Sequence, residues 1–191
     1  MNEMTNWLEV EAKVKVHDAA EMRARVRKIA VLKKREIRGD DYFALHKESY
    51  PKKAFRIRFD GRKYIVNFKK PLKKFSNDAI VVKREYEFEL KDVGHMDNFL
   101  ALLKEFGFKE WVKKRKHTES YVYKKDKRVT IELSRVEHLG DFMEIECLVE
   151  PKKLDSARKK ISEVLELLGV EKKDIDNTGY TKNLWKKGFK L

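Results

Sequence analysis

Cysteine occurs once in the 191 residues, at Cys147, so the chain can form no internal disulfide and no cysteine-based zinc site. Proline occurs three times and glycine eight times, which excludes a collagen-like or low-complexity chain. No apolar run approaches the length that spans a bilayer, and the stretch from Met1 to Val10 lacks the apolar core of a secretory signal. The expected setting is the reducing cytoplasm, with no membrane partner.

Charge is what the sequence has in excess. Charged residues make up 41% of the chain, against about a quarter in ordinary globular proteins, and 46 Lys and Arg face 32 Asp and Glu for a net charge of +14. A hydrophobic share of 41% with 11% aromatics is enough for a folded core, and the length suits one domain over residues 1–191. The basic excess calls for an anionic partner: nucleic acid, a phosphorylated small molecule or a membrane surface. The carboxylates are too numerous for a simple basic arm, and part of the Lys and Glu content fits surface ion-pair networks.

Three segments share one layout. WLEVEAKVKV (Trp7 to Val16), KREYEFELK (Lys83 to Lys91) and FMEIECLVE (Phe142 to Glu150) alternate Glu with apolar residues, the period-2 mark of a strand. Each leads into a helical stripe. The stripes are Met22, Val26 and Ile29; then Met96, Phe99, Leu100, Leu103 and Phe106; then Ala157, Ile161, Val164, Leu165 and Leu168. Asp18 and Asp155 are expected as N-caps, and Gly107 and Gly169 as helix ends. Further strands are expected in DYFAL, AFRIRFD, KYIVNFKK, WVKKRK, ESYVYK and RVTIEL, with turns at Gly61-Arg62 and at Lys125 to Lys127. The aromatics Tyr180, Trp185 and Phe189 anchor the tail on the body.

On several strands one face is charged and the other apolar. Glu9, Glu11 and Lys13 share a face, as do Arg56 and Arg58, Asn67 and Lys69, Glu85 and Glu87, Lys113 and Arg115, and Glu144 and Glu146. Pattern alone favours an open antiparallel sheet with one wet face, the commoner solution. The alternative closes the sheet into a barrel with the charges inside, and the helical stripes then have an outer apolar surface to cover. Enclosed charges must pair or bind ions. A triphosphate with divalent metal meets both needs, since Arg and Lys take phosphate oxygens and Glu pairs take hard cations. The histidines are scattered without zinc-ligand spacing, the run Lys33-Lys34-Arg35 fits a solvated face, and Cys147 points away from the Glu face.

Glu9-Val10-Glu11-Ala12-Lys13 resembles the ExExK motif of the CYTH family, which contains class IV adenylyl cyclases and thiamine triphosphatases. The resemblance continues in order through DDYFAL, AFRIR, NFKKP, KREYEFE, GFKEWVKKRK and VEHLGDFMEIE, and the ending GYTKNLW resembles the SYxxLL tail of cyclase-like members. It implies an α+β fold, a closed eight-stranded antiparallel barrel with helices packed outside, binding triphosphate with Mg²⁺ or Mn²⁺ in a tunnel. It also implies roles. Glu9, Glu11 and Lys13 are the candidate catalytic residues; Arg56, Arg58, Lys69, Lys113 and Arg115 bind the substrate; Glu85, Glu87, Glu144 and Glu146 hold metal. The expected substrate is ATP, cyclised to cyclic AMP and pyrophosphate, or thiamine triphosphate, tripolyphosphate or another triphosphate that is hydrolysed. The family allows a homodimer, and a nucleic-acid partner is not expected. Ser134 stands where the family has Asp, which lowers the expected metal affinity, with Glu132 two residues earlier on the same face. A non-catalytic nucleotide, polyphosphate or RNA binder is the alternative that this departure motivates.

Overall fold

The computed structural model describes residues 7–46, 48–51, 53–59, 62–189 and 191. Its strands are β1 (Leu8–Lys15), β2 (Ala30–Ala44), β3 (Phe55–Phe59), β4 (Tyr64–Pro71), β5 (Val81–Leu90), β6 (Lys109–Tyr123), β7 (Val129–Val136) and β8 (Gly140–Val149). The helices are α1 (Ala19–Ile29), α2 (Val93–Glu105), α3 (Leu154–Leu167) and α4 (Tyr180–Lys186). The strands close into an antiparallel barrel in the order β1-β5-β4-β3-β2-β6-β7-β8, with β8 returning to β1. Closure leaves no open sheet edge and gives every strand an inside and an outside. The half-wet sheet is therefore excluded.

The outside is apolar where helices cover it. Leu8, Val10, Ala12 and Val14 of β1 pack with Met143, Ile145 and Cys147 of β8, beneath Val26 of α1 and Ala157, Ile161 and Val164 of α3. Cys147 thus lies buried on the outer face, as its alternation with the Glu residues requires. Leu103 of α2 covers Ile57 and Val66 on the outside, whereas Tyr180 and Leu184 of α4 pack on Trp111 and on Phe142, which shares the inward face of β8 with Glu144. Burying each such aliphatic side chain contributes about 1.5–3 kcal/mol against the cost of ordering the chain.

Several local expectations change. Asp18 caps α1 through the N–H groups of Ala20 and Glu21, but Asp155 lies inside the first turn of α3, whose N-cap position is Lys153. The stripe of α2 ends at Leu103, and Phe106 is 65% exposed. Gly107 and Gly169 adopt φ of 79° and 64°, the left-handed conformation that ends a helix readily with glycine. DYFAL is the end of the fifteen-residue β2, and WVKKRK and ESYVYK fuse into one fifteen-residue β6. Gly61 lies outside the described residues; β3 and β4 pair on either side of it, Phe59 opposite Tyr64.

A charged lumen as candidate active site

The inner faces of the strands surround a cavity of about 1570 Å³. Its lining takes Glu9, Glu11 and Lys13 from β1, Arg38 from β2, Arg56 and Arg58 from β3 and Lys69 from β4. Lys83, Glu85 and Glu87 come from β5, Lys114 and Lys116 from β6, Glu132 from β7, and Glu144 and Glu146 from β8. Lys53, Lys70, Lys73 and Lys182 complete the charged part of the lining. Twelve cations thus meet seven carboxylates, so the cavity carries a surplus of positive charge.

The register sets which groups meet. Glu11 lies directly opposite Glu146 across the β1–β8 seam, and Lys13 lies opposite Glu144. Lys83 reaches Glu11 at 2.5 Å and Glu9 at 3.3 Å, and Lys69 pairs with Glu9 and with Glu85 at 3.4 Å. Burial pushes the Glu9 carboxyl up, but Lys69, a hydrogen bond shared with Glu11, and Lys83 outweigh it and hold the group at about 2. Asp40, inside β2, is fully buried and receives Lys114 at 2.6 Å, Arg58 at 2.8 Å and Arg56 at 3.3 Å. Those cations overcome the desolvation cost and hold its carboxyl well below the usual range. Lys116 bridges Glu132 at 3.0 Å and Glu144 at 3.1 Å, while Arg38 donates to Glu132 at 2.8 Å.

Glu146 is different. It makes no ion pair among the described residues, and burial together with the charges of Glu9 and Glu132 pushes its carboxyl up to about 8. Lys13 is also shifted, downward, because burial disfavours its ammonium. Its Nζ donates to the Thr178 carbonyl and lies 4.3 Å from the Tyr180 ring centroid. The segment bearing these groups runs along β1, with the Asp176 N–H donating to the Lys13 carbonyl and the Lys13 N–H to Asn177 Oδ1.

Ten of the twelve sequence-predicted site residues line this cavity. Lys113 and Arg115 do not. Lys113 is turned outward and pairs with Glu110, and Arg115 pairs with Asp41 on the outer side of β2. Lys114 and Lys116 take the inward positions, each 3% exposed at the side chain. Four consecutive cations, Lys113 to Lys116, carry no phase of their own; the irregularity opposite Tyr42 and Phe43 and the inward Thr118 and Ser120 set it. Sequence reading also passed over Arg38, Asp40 and Lys83. Each had a period-2 signal: Arg38 and Asp40 alternate with Ile37, Gly39 and Asp41, and Lys83 leads Glu85 and Glu87. Ser134 faces inward and exchanges a hydrogen bond with Thr118 at 2.9 Å, and Glu132 is occupied by Arg38 and Lys116.

A divalent cation fits the donor set. Glu146 faces Glu11 without an ion pair among the described residues, and a cation would relieve its shift. Among the described residues no three acidic, His or Cys groups are gathered closely enough to hold an ion unaided. Mg²⁺ is commonly held by one or two carboxylates with phosphate oxygens and water completing its shell, so substrate and metal fit here as a pair.

A family model described as the CYTH domain matches residues 8–180. The PH1819 protein of Pyrococcus horikoshii OT3 is similar at 32% identity and a TM-score of 0.76, with 94% of this chain and 99% of that chain covered. A conserved hypothetical protein of Pyrococcus furiosus is similar at 28% identity and a TM-score of 0.74, covering 91% and 98%. A Hippeastrum protein described as a putative adenylyl cyclase that reveals a dominant triphosphatase activity shares 16% identity and a TM-score of 0.62, covering 97% of each chain, a likeness of fold. No curated protein matches the chain. No helix among the described residues is long and apolar enough to cross a membrane.

Proposed function

The chain belongs to the CYTH family, and on that premise we propose that it is a divalent-metal-dependent enzyme that binds a triphosphate in the barrel lumen and hydrolyses it. The observation that carries this reading is the cavity lining, a surplus of Lys and Arg around a carboxylate, Glu146, that closes no ion pair among the described residues. Arg56, Arg58, Lys69, Lys114 and Lys116 are placed to take phosphate oxygens, with the two arginines pre-oriented by Asp40. Glu144 and Glu146 would hold Mg²⁺ or Mn²⁺ on one wall. Glu85 and Glu87, both bonded to Asn67, form a second pair on β5, the other neighbour of β1. Bound metal supplies charge neutralisation at the phosphate oxygens. Glu9 and Glu11 orient the attacking group, and Lys13, which loses its proton more readily than an ordinary lysine, supplies a proton from Nζ to the departing phosphate oxygen.

A second reading, cyclisation of ATP, draws on the aromatic cavity lining. Tyr50 stands edge-on to Trp111 at 5.5 Å and could accommodate a base beside the phosphates. Which phosphorus lies in line with the nucleophile separates the two reactions. Product analysis with ATP, thiamine triphosphate and tripolyphosphate, each with Mg²⁺ and with Mn²⁺, tests both readings. Orthophosphate release supports hydrolysis, and cyclic AMP with pyrophosphate supports cyclisation. Tight binding without turnover of any of them identifies a binder instead of an enzyme. Folded Glu11→Ala and Arg58→Ala proteins are expected to lose turnover, and full activity in both contradicts the site.

A further inference from the structure

Among the described residues, three donors that line the cavity are buried without a hydrogen-bond partner: Arg56 Nε, Trp111 Nε1 and the Tyr180 hydroxyl. A buried donor left unpaired costs about 1–3 kcal/mol, so three in one cavity need a reason. Tyr180 is the sharpest case. The residue is 7% exposed and sits at the start of α4, with Lys13 Nζ 4.3 Å and Lys114 Nζ 5.2 Å from its ring centroid. Its hydroxyl faces the Glu144 and Glu11 side of the lumen, where its approach to Glu144 is too loose to close a well-formed hydrogen bond, and burial, those two charges and the Glu144 contact keep its proton firmly bound. It is therefore a neutral donor set between two lysines.

We propose that the Tyr180 hydroxyl is a substrate-binding group that donates a hydrogen bond to a phosphate oxygen of the bound triphosphate, between Lys13 and Lys114. This rests on the triphosphate reading and assigns that site a residue from the C-terminal segment. A neutral donor adds what lysines cannot: it contacts a phosphate oxygen without adding charge that Glu144 would compete for. It also ties α4 to the ligand, so that the helix packed on Trp111 and Phe142 senses whether the lumen is filled.

Tyr180→Phe isolates the hydroxyl, because the ring keeps its place over both lysines and its edge contact with Phe142 at 5.1 Å. Calorimetric titration with tripolyphosphate and Mg²⁺, below the unfolding temperature of both proteins, reads the affinity of folded molecules. The expected result is a Kd about tenfold weaker than wild type. The unfolding temperature without ligand should stay at or above wild type, because the substitution removes an unpaired polar atom. A Kd within about twofold of wild type overturns the proposal. So does a lowered unfolding temperature with unchanged affinity, the mark of a packing role. Absence of binding by the wild-type protein overturns the triphosphate reading and this proposal with it.

Discussion

Asp40 has no exposed surface, yet it stays ionised because three cations lie within 3.3 Å of it. Glu146 has no such partner and is held near pH 8. Two carboxyl groups in one barrel are thus driven in opposite directions by burial and their neighbours, one serving as a fixed strut for Arg56 and Arg58 and one, on the proposed function, left available to a metal. Glu119 shows the strut arrangement outside the lumen. It accepts from the Tyr121 hydroxyl at 2.5 Å, from Arg23 at 2.8 Å and from Arg35 at 3.0 Å. Burial raises its pKa, but these three donors outweigh it and hold the group at about 2. A carboxyl with a folded-state pKa below its unfolded value stabilises the fold above the unfolded pKa and loses that contribution as pH falls through the folded one. Unfolding temperature should therefore drop more steeply in wild type than in Glu119→Gln between about pH 5 and pH 2, whereas tripolyphosphate affinity at neutral pH should be the same in both. Parallel pH profiles for the two proteins would show that the triad of donors contributes nothing.

At the scale of elements, β6 decides most of the cationic wall, and its phase is the feature most open to test. Lys114 and Lys116 face the lumen, whereas Lys113 and Arg115 are 47% and 40% exposed at the side chain and pair with surface carboxylates. Lys114→Met and Lys116→Met, checked for folding by circular dichroism, should each weaken tripolyphosphate binding by about tenfold or more. Lys113→Met and Arg115→Met should stay within about threefold of wild type, since exposed pairs contribute little. The reverse ranking would restore the outward pair to the site. The same strand shows how far the sequence was legible. Where polar and apolar residues alternate, as in β1, β3, β5 and β8, the inward face could be named residue by residue, and the structure places those residues around one cavity. Where cations run consecutively the alternation vanishes, and a single irregularity shifts the answer by one position. β2 was shortened for the same reason: Lys33, Lys34 and Arg35 are all exposed, and the register shift between Leu32 and Lys34 interrupts the alternation that marks a strand. Closure of the barrel was beyond periodicity altogether. It depends on β8 returning to β1, a pairing that the ordered set of family motifs implied and that period 2 alone leaves open.

At the scale of the whole molecule, the barrel supplies its own countercharges. The β1–β8 seam is continuous from Leu8 opposite Val149 to Lys15 opposite Phe142, and Glu9, Glu11, Asp40, Glu132 and Glu144 each have a Lys or Arg partner inside. This sets the molecule apart from small metal-stabilised domains, in which ligand binding is the folding energy and chelators unfold the chain. On the proposed function a metal would bring phosphate oxygens and Glu146 together, while the apolar layer under α1 and α3 holds the fold. Chelation should therefore separate function from stability. Excess EDTA is expected to abolish turnover of the preferred triphosphate and to leave the unfolding temperature within about 3 °C of the untreated protein. Re-adding Mg²⁺ together with tripolyphosphate should raise it, because the pair binds only the folded barrel. If EDTA alone lowered the unfolding temperature by about 10 °C or more, the metal would be part of the scaffold, and the ion pairs between lysines and carboxylates would lose their claim to hold the lumen together.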